Sequence, residues 1–198
     1  MVFIVLRHGQ SIWNKCNILS GWYNIPLTQF GRDESREAGI ILKKYKFDYV
    51  FTSDLQRTIE TCDIIKRELN QNFLIKSASE LKEKNYGRLE GKTKKELEIL
   101  YGNEQVKIWR RTYWGRPPYG ENLDDVKNRV GLYYNINIKP LLEDNKNVLM
   151  ISHSNSIRAF LVYLNIKNLH TIEDFELQHC VPMQIDIKNK KFWYENRV

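Results

Sequence analysis

The stretch "VFIVLRHG", residues 2–9, runs five apolar residues into an arginine, a histidine and a glycine. A short, uninterrupted apolar run of this kind reads as a strand buried on both faces, as the strands of a parallel sheet are. It ends by delivering His8 beside the permanent cation Arg7. A surface histidine needs no such setting, so the stretch raises both a fold and a chemistry.

Working outward, further β-rich runs stand at 48–52 ("DYVFT"), 72–78 ("NFLIKSA"), 147–152 ("NVLMIS") and 182–187 ("PMQIDI"). Helical spacing lies between them. One helix is expected over about 28–45, with Ala38, Ile41, Leu42 and Tyr45 on one face; a second over about 55–69 aligns Leu55, Ile59, Cys62, Ile65 and Leu69. A third follows "NLDD", with Leu123, Val126, Val130 and Tyr133 in register until Pro140 kinks or ends it. This alternation predicts an α/β fold of three layers, α/β/α, with a mostly parallel central sheet. The segment 81–120, rich in Lys, Arg, Tyr, Trp and Gly, carries two short helical pieces around "KKELEILYG" and "EQVKIWRR" and reads as an inserted helical cap over one edge of the sheet. A chain of 198 residues, 42% hydrophobic, fits one such domain.

The bulk properties exclude several classes. Three cysteines, Cys16, Cys62 and Cys180, are odd in number and form no metal-ligand spacing, which predicts a reduced, cytoplasmic protein. No apolar run reaches membrane-spanning length. The net charge of +7 comes from scattered lysines without a nucleic-acid motif, so a solvated basic surface is the reading, with no nucleic-acid partner.

In open α/β sheets, ligands bind at the carboxyl ends of the strands. Two of the expected strands end in histidines, His8 and His153, and a third leads through "SDLQRT" to Arg57. His170 and His179 follow no such strand end and read as surface or packing residues. Ser154 and Asn155 open the helix after His153, offering free N–H groups to an anion. Two histidines, two arginines and a helix N-terminus on one rim describe a phosphate site. Neighbouring Arg7 and Arg57 lower the His8 pKa from its usual value of about 6.5 and keep the ring nucleophilic. Glu83, in "LKEKNYG", supplies the carboxylate that phosphoryl transfer requires, and the absence of a Walker loop or a metal-ligand cluster points to metal-free chemistry.

With these residues in view, the chain resembles the histidine phosphatase superfamily and, within it, the cofactor-dependent phosphoglycerate mutases. The resemblance runs through "VLRHGQSIWN", "SGWYNIPLTQFG", "TSDLQRTIET", "EKNYGRLEGKTK", "YGNEQVKIWRR", "PP" and "ISHSNSIRAFLVYL". It implies that His8 becomes phosphorylated, that Arg7, Arg57 and His153 surround the phosphoryl group, and that Glu83 exchanges the proton. By the same resemblance Asn14, Asn17 and Asn155 contact phosphate, Ser20 and Gly21 hold the substrate's carboxylate end, and Tyr86, Lys94, Arg110 and Arg111 complete the ligand site. It further implies phosphoglycerate substrates, 2,3-bisphosphoglycerate as phosphoryl primer, no metal, and a homo-oligomer, with a dimer favoured.

Three positions depart from the family pattern: Lys84 and Asn85 replace Arg and His, and Ser154 replaces a glycine. After "PMQIDI" only "KNKKFWYENRV" follows, a tail short enough to admit water. Two other functions therefore stand beside a mutase: a histidine phosphatase acting on small phosphoesters, and a non-catalytic anion-binding protein.

Overall fold

A computed structural model describes residues 1–195. Six strands form one sheet in the order β3-β2-β4-β1-β5-β6, namely β1 (Phe3–Arg7), β2 (Tyr49–Thr52), β3 (Leu74–Ser77), β4 (Val148–Ser152), β5 (Met183–Asp186) and β6 (Lys191–Tyr194). β3, β2, β4 and β1 run parallel, whereas β5 and β6 are antiparallel to their neighbours. The mostly parallel three-layer expectation holds. The sixth strand is an addition: the segment read as a tail turns back at Lys190 (φ 53°), and Asp186 stabilises the turn by accepting the Asn189 amide at 2.9 Å. Residues 196–198 lie outside the described residues.

Alternation along β1 builds the layers. Phe3 and Val5 face one core with Val126 and Val130 of α6 (Leu123–Tyr133) and Phe160 of α8 (Ser154–Tyr163), while Ile4 and Leu6 face the other, with Ala38 and Leu42 of α2 (Gln29–Leu42) and Ile65 of α3 (Gln56–Leu69). Ahead of α2 lies one short turn, α1 (Ile12–Lys15). Capping agrees with the sequence: Thr28 accepts the Gly31 amide at the start of α2, and Asn122 with Asp125 forms a capping box on α6. Pro140 does not end the third helix. A π-helical segment, Tyr134–Ile138, widens the backbone ahead of it, and α7 (Lys139–Glu143) continues the path.

The cap has its own small core. Leu89, Leu97 of α4 (Lys94–Tyr101) and Val106 of α5 (Asn103–Arg111) pack with Leu19 and Tyr86. Its position differs from the expectation: Arg110 and Arg111 line the same cavity as Arg7 and His8, so the cap covers the rim of the central strands β1 and β4 rather than an edge. The reason lies in the order of the strands, which the sequence does not display. A last short helix, α9 (Leu169–Ile172), precedes the loop into β5. Among the described residues no helix is long and apolar enough to cross a membrane.

Candidate active site

Register places the two histidines together. Arg7 pairs with Ser152 across β1 and β4, so the next residues, His8 and His153, leave the sheet side by side. Their rings stand 5.0 Å apart, and the His8 amide donates to the Ser152 carbonyl at 3.1 Å. On the other flank β2 ends at Thr52, opposite Ile151 of β4, and Ser53 just beyond it meets His153.

The tautomers follow from the partners. His8 Nδ1 lies 2.7 Å from the Gly9 carbonyl oxygen, which only accepts, so the proton sits on Nδ1 and the lone pair on Nε2. His153 Nδ1 accepts from Arg57 Nε at 3.2 Å, leaving its Nε2 proton to Ser53 Oγ at 2.7 Å. Both rings are buried and held neutral, their pKa values well below 6.5. Burial is the largest cause at His8, followed by Arg57, Arg7 and His179. The arginines therefore contribute less than the loss of hydration, which sequence reasoning left out.

Arg57, buried on the first turn of α3, also donates to two carbonyls, Nη1 to Tyr23 at 2.9 Å and Nη2 to Gly21 at 2.8 Å, which leaves one hydrogen on each Nη. Burial brings it down to about 10, still charged at neutral pH. Gly21 makes that turn possible. It adopts φ 43°, and a Cβ there would stand 1.8 Å from Glu90 Oε1, the oxygen that accepts the Trp22 and Tyr86 amides. Arg7 reaches in the opposite direction, Nη1 donating to the Leu177 carbonyl at 2.6 Å.

Glu83 faces this pair from the start of the cap. Its Oε1 accepts the Lys84 amide at 2.7 Å and the Asn155 amide at 3.2 Å. The first amides of α8 are thus not all free for an anion, because the carboxylate occupies one. Arg129 fixes the segment behind it, donating to the carbonyls of Glu80, Lys82 and Glu83 while pairing with Glu121 at 2.8 Å. Lys84, one of the departures, is buried, and its Nζ holds the carbonyls of Trp109 in α5 and of Gly115 beyond it, each at 2.9 Å. Asn85 instead closes its own turn by accepting the Gly87 amide, and Ser154 is accommodated as the first residue of α8.

These elements enclose a cavity of about 330 Å³, at the small end of the range for small-molecule sites, roughly 300–1,000 Å³. Arg7, His8, Asn14, Asn17, Ser20, Gly21, Arg57, Glu83, Tyr86, Arg110, Arg111 and Asn155 all line it. Asn155 Nδ2 donates to the Tyr86 hydroxyl at 3.0 Å, and Arg111 pairs with Glu176 at 2.9 Å. Two expected residues stand apart. His153 lies behind His8, both ring nitrogens engaged by protein, and Lys94 is exposed on the first turn of α4, paired with Glu98 at 3.2 Å.

Two basic cavity residues escaped the sequence reading, Arg158 and His179. Arg158 sits three residues after Asn155 on α8, donates to its Oδ1 at 3.0 Å and holds the Ile172 and Glu173 carbonyls. An arginine inside the otherwise apolar "SIRAFLVYL" was the available signal. His179 corrects an expectation: it is a cavity residue 5.8 Å from the His8 ring, not a remote one. Because β5 is antiparallel to β1, the residues entering β5, rather than those leaving it, reach the rim.

Charge and hydrogen-bonding capacity converge on one ligand class. Among the described residues, the buried side-chain N and O atoms without a hydrogen bond are Arg7 Nε, Ser20 Oγ, Arg110 Nε and His179 Nε2, and all four residues line this cavity. Buried polar groups normally have partners, so the arrangement fits a small, acceptor-rich anion. No group of three or more His, Cys, Asp or Glu side chains is placed to hold a metal ion among the described residues.

Comparison with known proteins agrees. Residues 3–197 match the Histidine phosphatase superfamily (branch 1). The chain is 39% identical over 189 residues to the 2,3-bisphosphoglycerate-dependent phosphoglycerate mutase of Cytophaga hutchinsonii, covering 96% of this chain and 89% of that protein. It is 33% identical over 213 residues to the enzyme of the same name from Methanococcus vannielii, covering 94% and 91%. Among solved structures, Bacillus stearothermophilus YhfR matches with a TM-score of 0.85 at 21% identity, over 98% of this chain and 94% of that one. A mycobacterial glucosyl-3-phosphoglycerate phosphatase matches at 0.83 and 18% identity, over 99% and 98%. At such identities these two structures establish a common fold. The sequence relatives establish more: the chain belongs to the histidine phosphatase superfamily and, within it, to the family of the 2,3-bisphosphoglycerate-dependent phosphoglycerate mutases.

Proposed function

We propose that this protein interconverts 3-phosphoglycerate and 2-phosphoglycerate, in glycolysis and gluconeogenesis, through a phosphoryl group carried on Nε2 of His8. The observation that carries the reading is the fixed tautomer of His8: its Nδ1 proton is committed to Gly9, so a neutral ring presents the Nε2 lone pair to a cavity walled by arginines. The four unpaired polar atoms belong to residues that line that cavity and fit a bisphosphorylated glycerate, with the His179 ring 5.8 Å from that of His8. When bound, 2,3-bisphosphoglycerate supplies the phosphoryl group that first charges His8.

The residues then divide the work. As Nε2 takes the phosphoryl group, the P–O bond of the substrate breaks and its electron pair stays on the departing oxygen. Arg7 and Arg57 balance the negative charge on the non-bridging oxygens. Glu83 gives the departing oxygen a proton and recovers it when the other hydroxyl attacks. Its Oε2 suits that task, because the two amide bonds fall on Oε1. Arg110 and Arg111 hold the far end of the substrate, which must turn over in place without meeting water. Arginines supply the charge that a divalent cation supplies in other phosphoryl transferases, which supports a metal-independent reaction.

The reading extends to a cytoplasmic location, supported by three free cysteines, and to a homodimer. β3 lies at one edge of the sheet with all four residues exposed, among them Leu74 and Ile75, and an uncovered apolar edge favours pairing with a second copy. Sedimentation of the purified chain tests the dimer. The function is tested by following 2-phosphoglycerate formation and phosphate release together, with and without primer, at saturating chelator. Primer-dependent isomerisation that survives chelator is expected; phosphate release that dominates with primer present assigns a phosphatase instead.

A further inference from the structure

The cavity contains a second imidazole, with no catalytic part in the cycle above. His179 lies on the loop between α9 and β5, fixed on both sides by Arg7: the Leu177 carbonyl accepts Arg7 Nη1 at 2.6 Å, and the Cys180 amide donates to the Arg7 carbonyl at 3.0 Å. The chain turns sharply between these anchors and β5, with Cys180 at φ 51°. The result is a ring 5.8 Å from that of His8 and tilted 51° to it, held by the same residue that precedes the nucleophile.

Its Nε2 is buried, faces no protein partner and belongs to a residue lining the cavity. A buried nitrogen in that condition gives up its hydration without return unless a ligand meets it. Charge decides which part of a ligand that is. Arg57 and Arg7 are the charges that His8 feels most strongly, and both line the cavity, so the atoms that settle beside His8 are the oxygens of a phosphoryl group. Burial and Arg7 push the His179 pKa down to about 3, so the ring is neutral. A neutral ring offers a hydrogen bond without adding a further cation to a site that already holds several.

We propose that His179 is a catalytic residue of this site, donating from Nε2 to a non-bridging oxygen of the phosphoryl group carried on His8. The proposal rests on His8 as the phosphoryl carrier, whichever acceptor receives the group. No bond to His179 forms or breaks. Phosphorus exchanges its bond to oxygen for a bond to His8 Nε2 and back, and the substrate proton travels through Glu83.

The test uses the whole chain with inorganic orthovanadate as probe. In the wild-type protein the nitrogen resonances of the His179 ring are expected to shift when orthovanadate saturates the site. His179→Ala is expected to weaken orthovanadate inhibition about tenfold and to lower kcat more than it raises KM. His179→Gln, which keeps a neutral N–H donor, is expected to recover most of both. Unmoved His179 resonances at saturation, or Ala and Gln variants within about twofold of wild type, overturn the proposal. Should the Ala variant fail to fold, the wild-type resonances and the Gln variant decide. If the wild-type enzyme releases phosphate instead of isomerising, the mutase reading falls while these measurements still judge His179.

Discussion

The floor and the roof of the cavity are built on different terms. On the floor, His8, His153 and Arg57 are buried at strand ends or on the first turn of α3, and neighbouring protein groups engage His153 and Arg57 through hydrogen bonds. On the roof, Arg110 and Arg111 sit at the end of a nine-residue helix, partly exposed, with Arg110 Nε unpaired and Arg111 tied to the exposed Glu176. Bond making needs atoms that do not move, whereas a substrate that must enter, turn and leave needs cations it can take up and release. The difference predicts that floor substitutions reduce the chemical step and roof substitutions reduce affinity.

The strongest way to break that division is at the nucleophile. His8→Asn removes the nitrogen proposed to carry the phosphoryl group, and kcat is expected to fall by roughly 10⁴-fold or more, with no acid-labile phosphoprotein formed. Retained function in this variant would instead identify an anion-binding protein. Next, Glu83→Gln preserves both amide bonds to Oε1 in shape but cannot exchange a proton; kcat is expected to drop ~10²–10⁴-fold while KM changes little. A matching rise in KM would show that Glu83 belongs to the roof.

Arg110→Met tests the other half. Loss of a charged hydrogen bond to substrate is expected to raise KM about 10- to 100-fold at a kcat near wild type, as steady-state kinetics will show. The smallest effect falls on the joint between the halves. Lys84 adjoins Glu83 yet holds the end of α5, so Lys84→Met is expected to raise KM only a few-fold. Its signature is the pH dependence of stability. Burial lowers Lys84 from 10.5 to about 8, so between those values the unfolded chain binds the extra proton and the contribution of Lys84 to stability rises with pH. Chemical denaturation should show wild type gaining on the variant from pH 8 to 10.5 and losing that gain as pH falls through 8.

The floor was the more legible region for the same reason that it is rigid. β1 and β4 announce themselves as unbroken apolar runs, and the residue after each is a histidine, so two adjacent parallel strands place both rings without further information. The roof depends on contacts far apart in sequence. Lys84 meets carbonyls at 109 and 115, and nothing local to "EKNYG" shows where its ammonium finds these partners. Lys94 illustrates the converse, since an exposed position on α4 with Glu98 one turn later satisfies it locally. His179 was misplaced because strand direction is invisible in a β-rich run: "PMQIDI" reads the same whether β5 runs with β1 or against it. The β6 hairpin was missed because the outer strand is polar and mostly exposed, lacking the apolar run that marked the others.

Gly9 gives the nucleophile a dependence on a helix that never touches substrate. Its carbonyl selects the His8 tautomer, and a Cβ at this position would stand 2.3 Å from the Gly31 carbonyl oxygen on α2. Any side chain would push the strand end from the helix and carry that carbonyl with it, freeing the imidazole to keep its proton on the attacking nitrogen. A single methyl group at position 9 is thus expected to lower kcat by loosening the contact that keeps the His8 proton on Nδ1, although it adds nothing to the cavity itself.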